Sequence, residues 1–121
     1  MAQHNELGRL GENAVVKYLQ DRGYTLLEQN WFYHKLEVDI IARNKEWIIF
    51  VEVKTRASDR WGNPEEAVSK SKMRNLVESA DYYMKDKDLD LPARFDVAAV
   101  ILGNGKCEIE YFEDAFLPSL N

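Results

Sequence analysis

A single cysteine, Cys107, occurs in 121 residues, so the chain can form no internal disulfide. Histidine is nearly as scarce. His4 and His34 stand far apart, and no Cys/His set has the spacing of a zinc site. No apolar run approaches the ~20 residues of a membrane-crossing helix, so no membrane association is expected. The opening Met1-Ala2-Gln3-His4-Asn5-Glu6 lacks the basic and apolar regions of a secretory leader. A cytoplasmic, reducing location is therefore the expectation. Positive charge is also in short supply, with 16 Lys and Arg against 21 Asp and Glu, a net charge of −5. Strong nonspecific nucleic-acid binding rests on Lys and Arg neutralising phosphates, and the whole-chain charge argues against it.

What is present is ordinary in bulk and uneven in detail. A hydrophobic content of 45% with 31% charged residues fits one globular domain over residues 1–121, long enough to bury a core. Between Lys54 and Arg74, six basic residues (Lys54, Arg56, Arg60, Lys70, Lys72, Arg74) face three acids (Asp59, Glu65, Glu66). That window carries +3 and leaves −8 for the rest. A basic rim beside an acidic site would reconcile the two totals.

The periodicities predict a helix from Asn5 to Asp21, with Leu7, Leu10, Ala14, Val15 and Tyr18 on its apolar face and Glu12 at that face's edge. Arg22-Gly23 is its stop. Strands are expected over Tyr24 to Asn30, Glu37 to Arg43 and Trp47 to Thr55, with Trp31 to Leu36 as a polar-aromatic connection. On the second strand Glu37, Asp39 and Ile41 should share one face, and Val38, Ile40 and Ala42 the other. Asn44-Lys45 reads as a two-residue turn, which makes the second and third strands antiparallel neighbours. Ala57 to Gly62 is a loop holding Arg60 and Trp61. Asn63-Pro64-Glu65-Glu66 then has helix-start chemistry. Met73, Leu76, Val77, Ala80, Tyr83 and Met84 continue that helix as an apolar stripe. A strand over Arg94 to Leu102, a Gly103-Asn104-Gly105 turn and an alternating edge strand over Lys106 to Phe112 complete the order. The expected class is α/β, one sheet with helices packed on it.

Glu52 and Lys54 leave the same face of a strand whose preceding run, Trp47 to Val51, is apolar on both faces. A carboxylate and an ammonium there are costly to desolvate unless paired. The hairpin brings Asp39, at a similar distance from the turn, beside Glu52. Two acids and a lysine at adjacent strand ends suit phosphodiester hydrolysis. Asp39 and Glu52 would ligate Mg²⁺ or Mn²⁺ with the Val53 carbonyl as a backbone ligand. Lys54 would orient or deprotonate water, or offset charge on the phosphoryl oxygens. The competing reading is an ordinary strand-end ion pair. Glu12 is either a further metal ligand or an exposed helix-edge acid. Glu37 lies next to the site or in solvent. Lys70, Lys72 and Arg74, with Arg56, are candidate phosphate contacts or solvated surface. Trp31, Tyr33 and Trp61 are candidates for stacking on unpaired bases or for plain packing.

Gly8-x-x-Gly11-Glu12-x-Ala14, Tyr18-Leu19, Gly23-Tyr24, Asn30, Glu37-Val38-Asp39-Ile40-Ile41-Ala42, Phe50-Val51-Glu52-Val53-Lys54-Thr55-Arg56 and Arg94-Phe95-Asp96 together resemble the YraN-type bacterial family. They are also similar to the wider PD-(D/E)xK nuclease superfamily, to which archaeal Holliday junction resolvases lie close. The resemblance spans roughly residues 5 to 102. It implies a restriction-endonuclease-like mixed β-sheet of about five strands flanked by helices. It implies Asp39 as the first acid of the motif, Glu52 as the second and Lys54 as its lysine, with Glu12 as the helix-borne acid of resolvase-like members. One departure is Leu36, where many relatives have glycine, and it bears on the turn rather than on the chemistry.

The expected function is a Mg²⁺- or Mn²⁺-dependent DNA endonuclease acting on branched or recombination intermediates. A non-catalytic nucleic-acid-binding or adaptor domain is the rival. Resolvases act as dimers, which makes a homodimer one expected state, while the acidic net charge favours a protein partner.

Overall fold

The apolar stretch before Glu52 becomes the middle of a five-stranded sheet. The structure, a computed structural model, describes residues 6–57 and 70–115. Its elements are α1 (Glu6–Asp21), β1 (Thr25–Tyr33), β2 (Leu36–Arg43), β3 (Ile48–Arg56), α2 (Lys70–Asp86), β4 (Ala93–Gly103) and β5 (Lys106–Phe112). The strand order is β1-β2-β3-β4-β5. Every neighbouring pair is antiparallel except β3 and β4, which run parallel. A parallel pair needs a long crossover, and α2 lies within that connection. The fold is α/β, a mixed sheet flanked by helices of the restriction-endonuclease-like kind.

The helices cover opposite faces of the sheet. Val15 and Leu19 of α1 pack with Ile40, Ala42, Ile49, Val51, Ala98 and Val100. Leu76, Ala80 and Tyr83 of α2 pack with Val38, Ile41, Ile48, Phe50, Phe95 and Val97. Burial on both faces is why β3 and β4 read as continuous apolar runs rather than alternating ones. No helix among the described residues is long and apolar enough to cross a membrane.

Several expectations shift. β1 continues through Trp31, Phe32 and Tyr33, and the turn is only His34-Lys35, because Tyr33 pairs with Leu36. The connection after β2 is four residues long, not two. Asn44 Oδ1 accepts from the Glu46 and Trp47 amides at 2.8 Å each, an Asx-type turn that still leaves the strands antiparallel. At the β4–β5 end, Asn104 and Gly105 both have positive φ (53° and 72°), as a type I′ hairpin requires. Cys107 on β5 is exposed. The Asn63-Pro64 helix start, Arg60, Trp61, His4 and Asn5 lie outside the described residues.

The face of α1 is also rotated from the expected one. Leu10 is 48% exposed, and the buried positions are Gly11, Glu12, Val15 and Leu19. Gly11 explains the rotation. A Cβ there would lie 1.9 Å from Thr55 Oγ1 and 2.9 Å from Thr55 Cβ, so only glycine lets α1 approach the end of β3 this closely. Gly11→Ala gains helix propensity, about 1 kcal/mol, yet overpacks the contact by roughly 1–3 kcal/mol. The expected outcome is a net loss of stability in urea unfolding, recovered in part when Thr55→Ala is added to remove the crowding hydroxyl and methyl. An alanine variant as stable as the native chain would contradict this packing.

A buried polar network anchors the far part of the same layer. Asp96 is fully buried on β4. Its carboxylate accepts from Arg94 Nε (3.0 Å) and Nη2 (2.8 Å), from the Tyr111 hydroxyl (2.6 Å) and from the Asp114 amide (2.9 Å). Arg94 Nη2 also donates to the Tyr24 hydroxyl at 2.8 Å. Burial, then the neighbouring Asp96 charge, pushes the Tyr111 hydroxyl far up, so it remains a donor.

Candidate active site

The end of the sheet at which β3 finishes and β2 begins collects the acids. The register of β2 on β3 pairs Ile40 with Val51 and Ile41 with Phe50. The paired register ends there, two residues out from what a two-residue turn would set, and this shift brings Asp39 toward Glu52 rather than Phe50. Past that end a side chain replaces the ladder, since the Val53 amide donates to Asp39 Oδ2 at 2.8 Å. This ties Asp39 to the peptide that joins Glu52 to Val53.

Asp39 also marks a break in alternation. Val38 packs in the α2 layer, whereas Ile40, two residues on, packs in the α1 layer. A regular strand would put both on one face. Across from Asp39 on β1, Asn30 has φ of 53°, a conformation Asn tolerates better than most residues. The expectation of Glu37, Asp39 and Ile41 on one regular face therefore fails locally. The Asp39 carboxylate lies within electrostatic reach of Glu52, Glu12 and Glu37.

Glu12, Asp39 and Glu52 are all buried. Burial, then the Glu52 charge, raises the Asp39 pKa well above the usual carboxylate range, and the Val53 amide only partly offsets this. Burial also raises Glu52, against the lowering influence of Lys72 and Lys54. Lys54 Nζ stands 3.8 Å from Glu52 Oε2, and Lys72 Nζ stands 3.6 Å from Glu52 Oε1. These are ion-pair separations, longer than a good hydrogen bond. Among the described residues the buried Oε1 accepts no hydrogen bond. A buried acceptor oxygen of this kind is expensive unless a further donor or a cation satisfies it.

Asn30 was not assigned a role by sequence reasoning. Its Nδ2 donates to Glu12 Oε1 (2.9 Å) and Glu37 Oε2 (3.1 Å), joining two acids from different elements. Glu37 is half-buried and lies close enough to raise both Asp39 and Glu52, so it belongs beside the site rather than in solvent. The signal for Asn30 was its side chain, which suits a left-handed backbone and offers two donors. Lys72, a candidate phosphate contact or solvated residue, is half-buried with its ammonium at Glu52. Arg56, Lys70 and Arg74 are exposed at the end of β3 and on the first turns of α2.

The donor set fits a hard divalent cation in part. Asp39 and Glu52 lie within electrostatic reach of each other. Among the described residues, Glu52 Oε1 has an ion-pair contact with Lys72 but no hydrogen bond. Mg²⁺ commonly takes one or two carboxylates and keeps several waters. Glu12 does not complete a ready three-acid shell. No group of three Asp, Glu, His or Cys among the described residues is poised as a metal cluster. Asn30 holds Glu12, and two ammoniums draw Glu52, so like-charged carboxylates settle on separate partners. The Val53 contact that exists is through its N–H, not its carbonyl.

Similar chains match this one along nearly its whole length. A UPF0102 protein of Flavobacterium psychrophilum is 46% identical over 116 residues, covering 96% of this chain and 98% of that protein. A UPF0102 protein of Bacteroides thetaiotaomicron is 45% identical over 120 residues, 99% of each chain. One from Phocaeicola vulgatus is 42% identical over 120 residues, again 99% of each. A sequence profile described as "Uncharacterised protein family UPF0102" matches residues 11–100, from the close-packed Gly11 through β4. The chain belongs to the UPF0102 (YraN) family.

Proposed function

We propose that this protein is a Mg²⁺- or Mn²⁺-dependent endonuclease that hydrolyses DNA phosphodiester bonds, with branched or recombination intermediates as its substrates. The observation that carries the reading is the pair of buried carboxylates, Asp39 and Glu52, at adjacent strand ends with Lys54 and Lys72 flanking Glu52. Such a concentration of buried acid with raised pKa is unfavourable for folding and characteristic of a site.

Asp39 and Glu52 would hold the ion, with the Val53 carbonyl beside them. The bound ion would supply Lewis-acid polarisation of a phosphoryl oxygen and an acidified water. Glu12, held by Asn30, would fix one of the ion's waters from the α1 side. Lys54 would orient the attacking water and offset charge on the phosphoryl oxygens. Lys72 reaches the same carboxylate and would meet the phosphate from α2. Arg56, Lys70 and Arg74 would neutralise flanking phosphates, as a protein of net charge −5 needs a locally basic rim to do.

The test is a panel of labelled junction, flap, single-stranded and duplex DNA incubated with Mg²⁺ or Mn²⁺. Metal-dependent cleavage of branched substrates is expected, and Asp39→Ala should lack it. Lys54→Met should cut roughly a hundredfold more slowly while still binding Mn²⁺ in a calorimetric titration. No cleavage of any substrate, or equal cleavage by Asp39→Ala, sinks the proposal. Retained DNA binding by a native chain that never cuts would instead favour an adaptor role.

A further inference from the structure

Beside the acids, the hairpin end of β1 and the outer half of α2 carry a row of rings. Trp31 and Tyr33 stack with centroids 6.4 Å apart and planes 5° from parallel. Tyr33 and Tyr82 stack at 4.5 Å and 24°, and Trp31 and Tyr82 at 6.4 Å and 23°. His34 meets Tyr33 at 4.4 Å with its ring tilted by 59°. The base of the row belongs to the core, because Trp31 meets Tyr83 edge-on at 5.0 Å. The outer end does not: Tyr82 is 44% exposed. These near-parallel pairs are offset stacks, and the row runs from the core out to a ring in solvent.

Two further observations give the row an occupant. A cleft of about 150 Å³ adjoins it, lined by Lys35, Leu36, Glu37, Lys72, Asn75 and Leu76. The cleft runs from Lys35 and Leu36 of the hairpin to Glu37 and Lys72, and Lys72 Nζ stands 3.6 Å from Glu52. His34 is the first residue of the two-residue turn and has φ of 56°, a conformation that glycine adopts more readily. The turn nevertheless keeps a ring against Tyr33. Asp81, the acid next to Tyr82, is neutralised by Lys85 at 3.0 Å.

We propose that Tyr33, His34 and Tyr82 form a stacking platform for unpaired bases of a DNA strand whose backbone reaches the acids through the Lys35–Lys72 cleft. The inference rests on the nuclease reading and names its substrate class, DNA with a single-stranded segment next to the cut. Rings supply sequence-tolerant stacking and the lysines meet the phosphates, the combination that single strands require. Duplex DNA offers no free base face, so the platform discriminates between the two.

The experiment measures binding without cleavage. Fluorescence anisotropy in EDTA compares a dye-labelled single-stranded oligonucleotide with the blunt duplex of the same sequence. Tyr82→Leu, which keeps apolar bulk but loses the ring face, should weaken single-strand binding roughly 5- to 100-fold, the loss of one stacked base. Duplex binding should change by less than about twofold. Tyr82→Phe should behave as native, and matching thermal melts establish that both variants fold. Equal losses on both oligonucleotides, no loss at all, or a native chain that binds neither overturns the platform. So does sedimentation showing that Tyr82→Leu splits a dimer, since the rings would then face a second copy of the chain. Because no cut is scored, ring-dependent binding by a chain that never cleaves would refute only the nuclease reading. Cleavage indifferent to Tyr82 together with unchanged binding would refute only the platform.

Discussion

Asp39→Asn is expected to reduce metal-dependent cleavage by roughly a thousandfold or more while raising the melting temperature of the metal-free protein. The two effects have one cause. Burial and the Glu52 charge raise the Asp39 pKa in the folded state. Between the ordinary carboxylate range and that raised value, the folded chain binds more protons than the unfolded chain. Stability therefore falls as pH rises through this window, and the deficit persists above it. Asparagine keeps an oxygen to accept from the Val53 amide but carries no charge to desolvate. Its melting temperature should exceed the native one by a few degrees near neutral pH and converge with it in acid. Metal affinity has the opposite slope, rising with pH as protons leave Asp39 and Glu52. Mn²⁺ should accordingly raise the melting temperature of the native protein and leave Asp39→Asn nearly unmoved. Differential scanning fluorimetry from pH 4 to 8, with and without Mn²⁺, reads all of this. An asparagine variant that melts below the native chain at neutral pH, or that cuts as well as it does, would contradict the assignment.

Arg94→Met should produce the largest loss of stability. The substitution keeps a long apolar stem but strands the Asp96 charge with only the Tyr111 hydroxyl and the Asp114 amide to face it. Breaking a buried pair from one side typically costs roughly 3–5 kcal/mol, a large part of a domain's roughly 5–15 kcal/mol. Urea unfolding measures it. Arg94→Met/Asp96→Leu removes both charges and should recover a substantial part of the loss, because the penalty belongs to the orphaned charge more than to the missing bond. Asp96 also receives the Asp114 amide, and the Ala115 amide bonds Phe95 O at 2.8 Å. Hydrogen exchange at those two amides should therefore accelerate in the single variant. A loss under about 1 kcal/mol would show that the network is slack.

Much of the architecture was readable along the chain. The run ending at Val51 announced a doubly buried strand, and the turn chemistry at Asn44 announced an antiparallel partner. Together these brought Asp39 and Glu52 to one end of the sheet. A two-residue turn would have paired Asp39 with Phe50, and it is the longer connection that shifts the register by two toward Glu52. The length of the connection was misjudged, since an Asx-type turn takes four residues where a tight turn takes two. The face of α1 was misjudged as well, because helical periodicity ranks side chains by apolarity. A glycine and an acid are buried here for reasons of contact, Gly11 against Thr55 and Glu12 against Asn30.

By itself the sequence determined which segments are strands, where the apolar layers lie, and that two acids and a lysine share one end of the sheet. Those features depend on periodicity and short-range turns, which are local properties of the chain. Only the tertiary structure decided that alternation breaks at Asp39, that Lys72 turns in to Glu52, and that Arg94 and Asp96 are buried together with two tyrosines. Each of these is a meeting between elements brought together by the sheet and its parallel crossover. The strength of a charge there depends on burial and on partners distant in sequence, and neither is written in the spacing of residues.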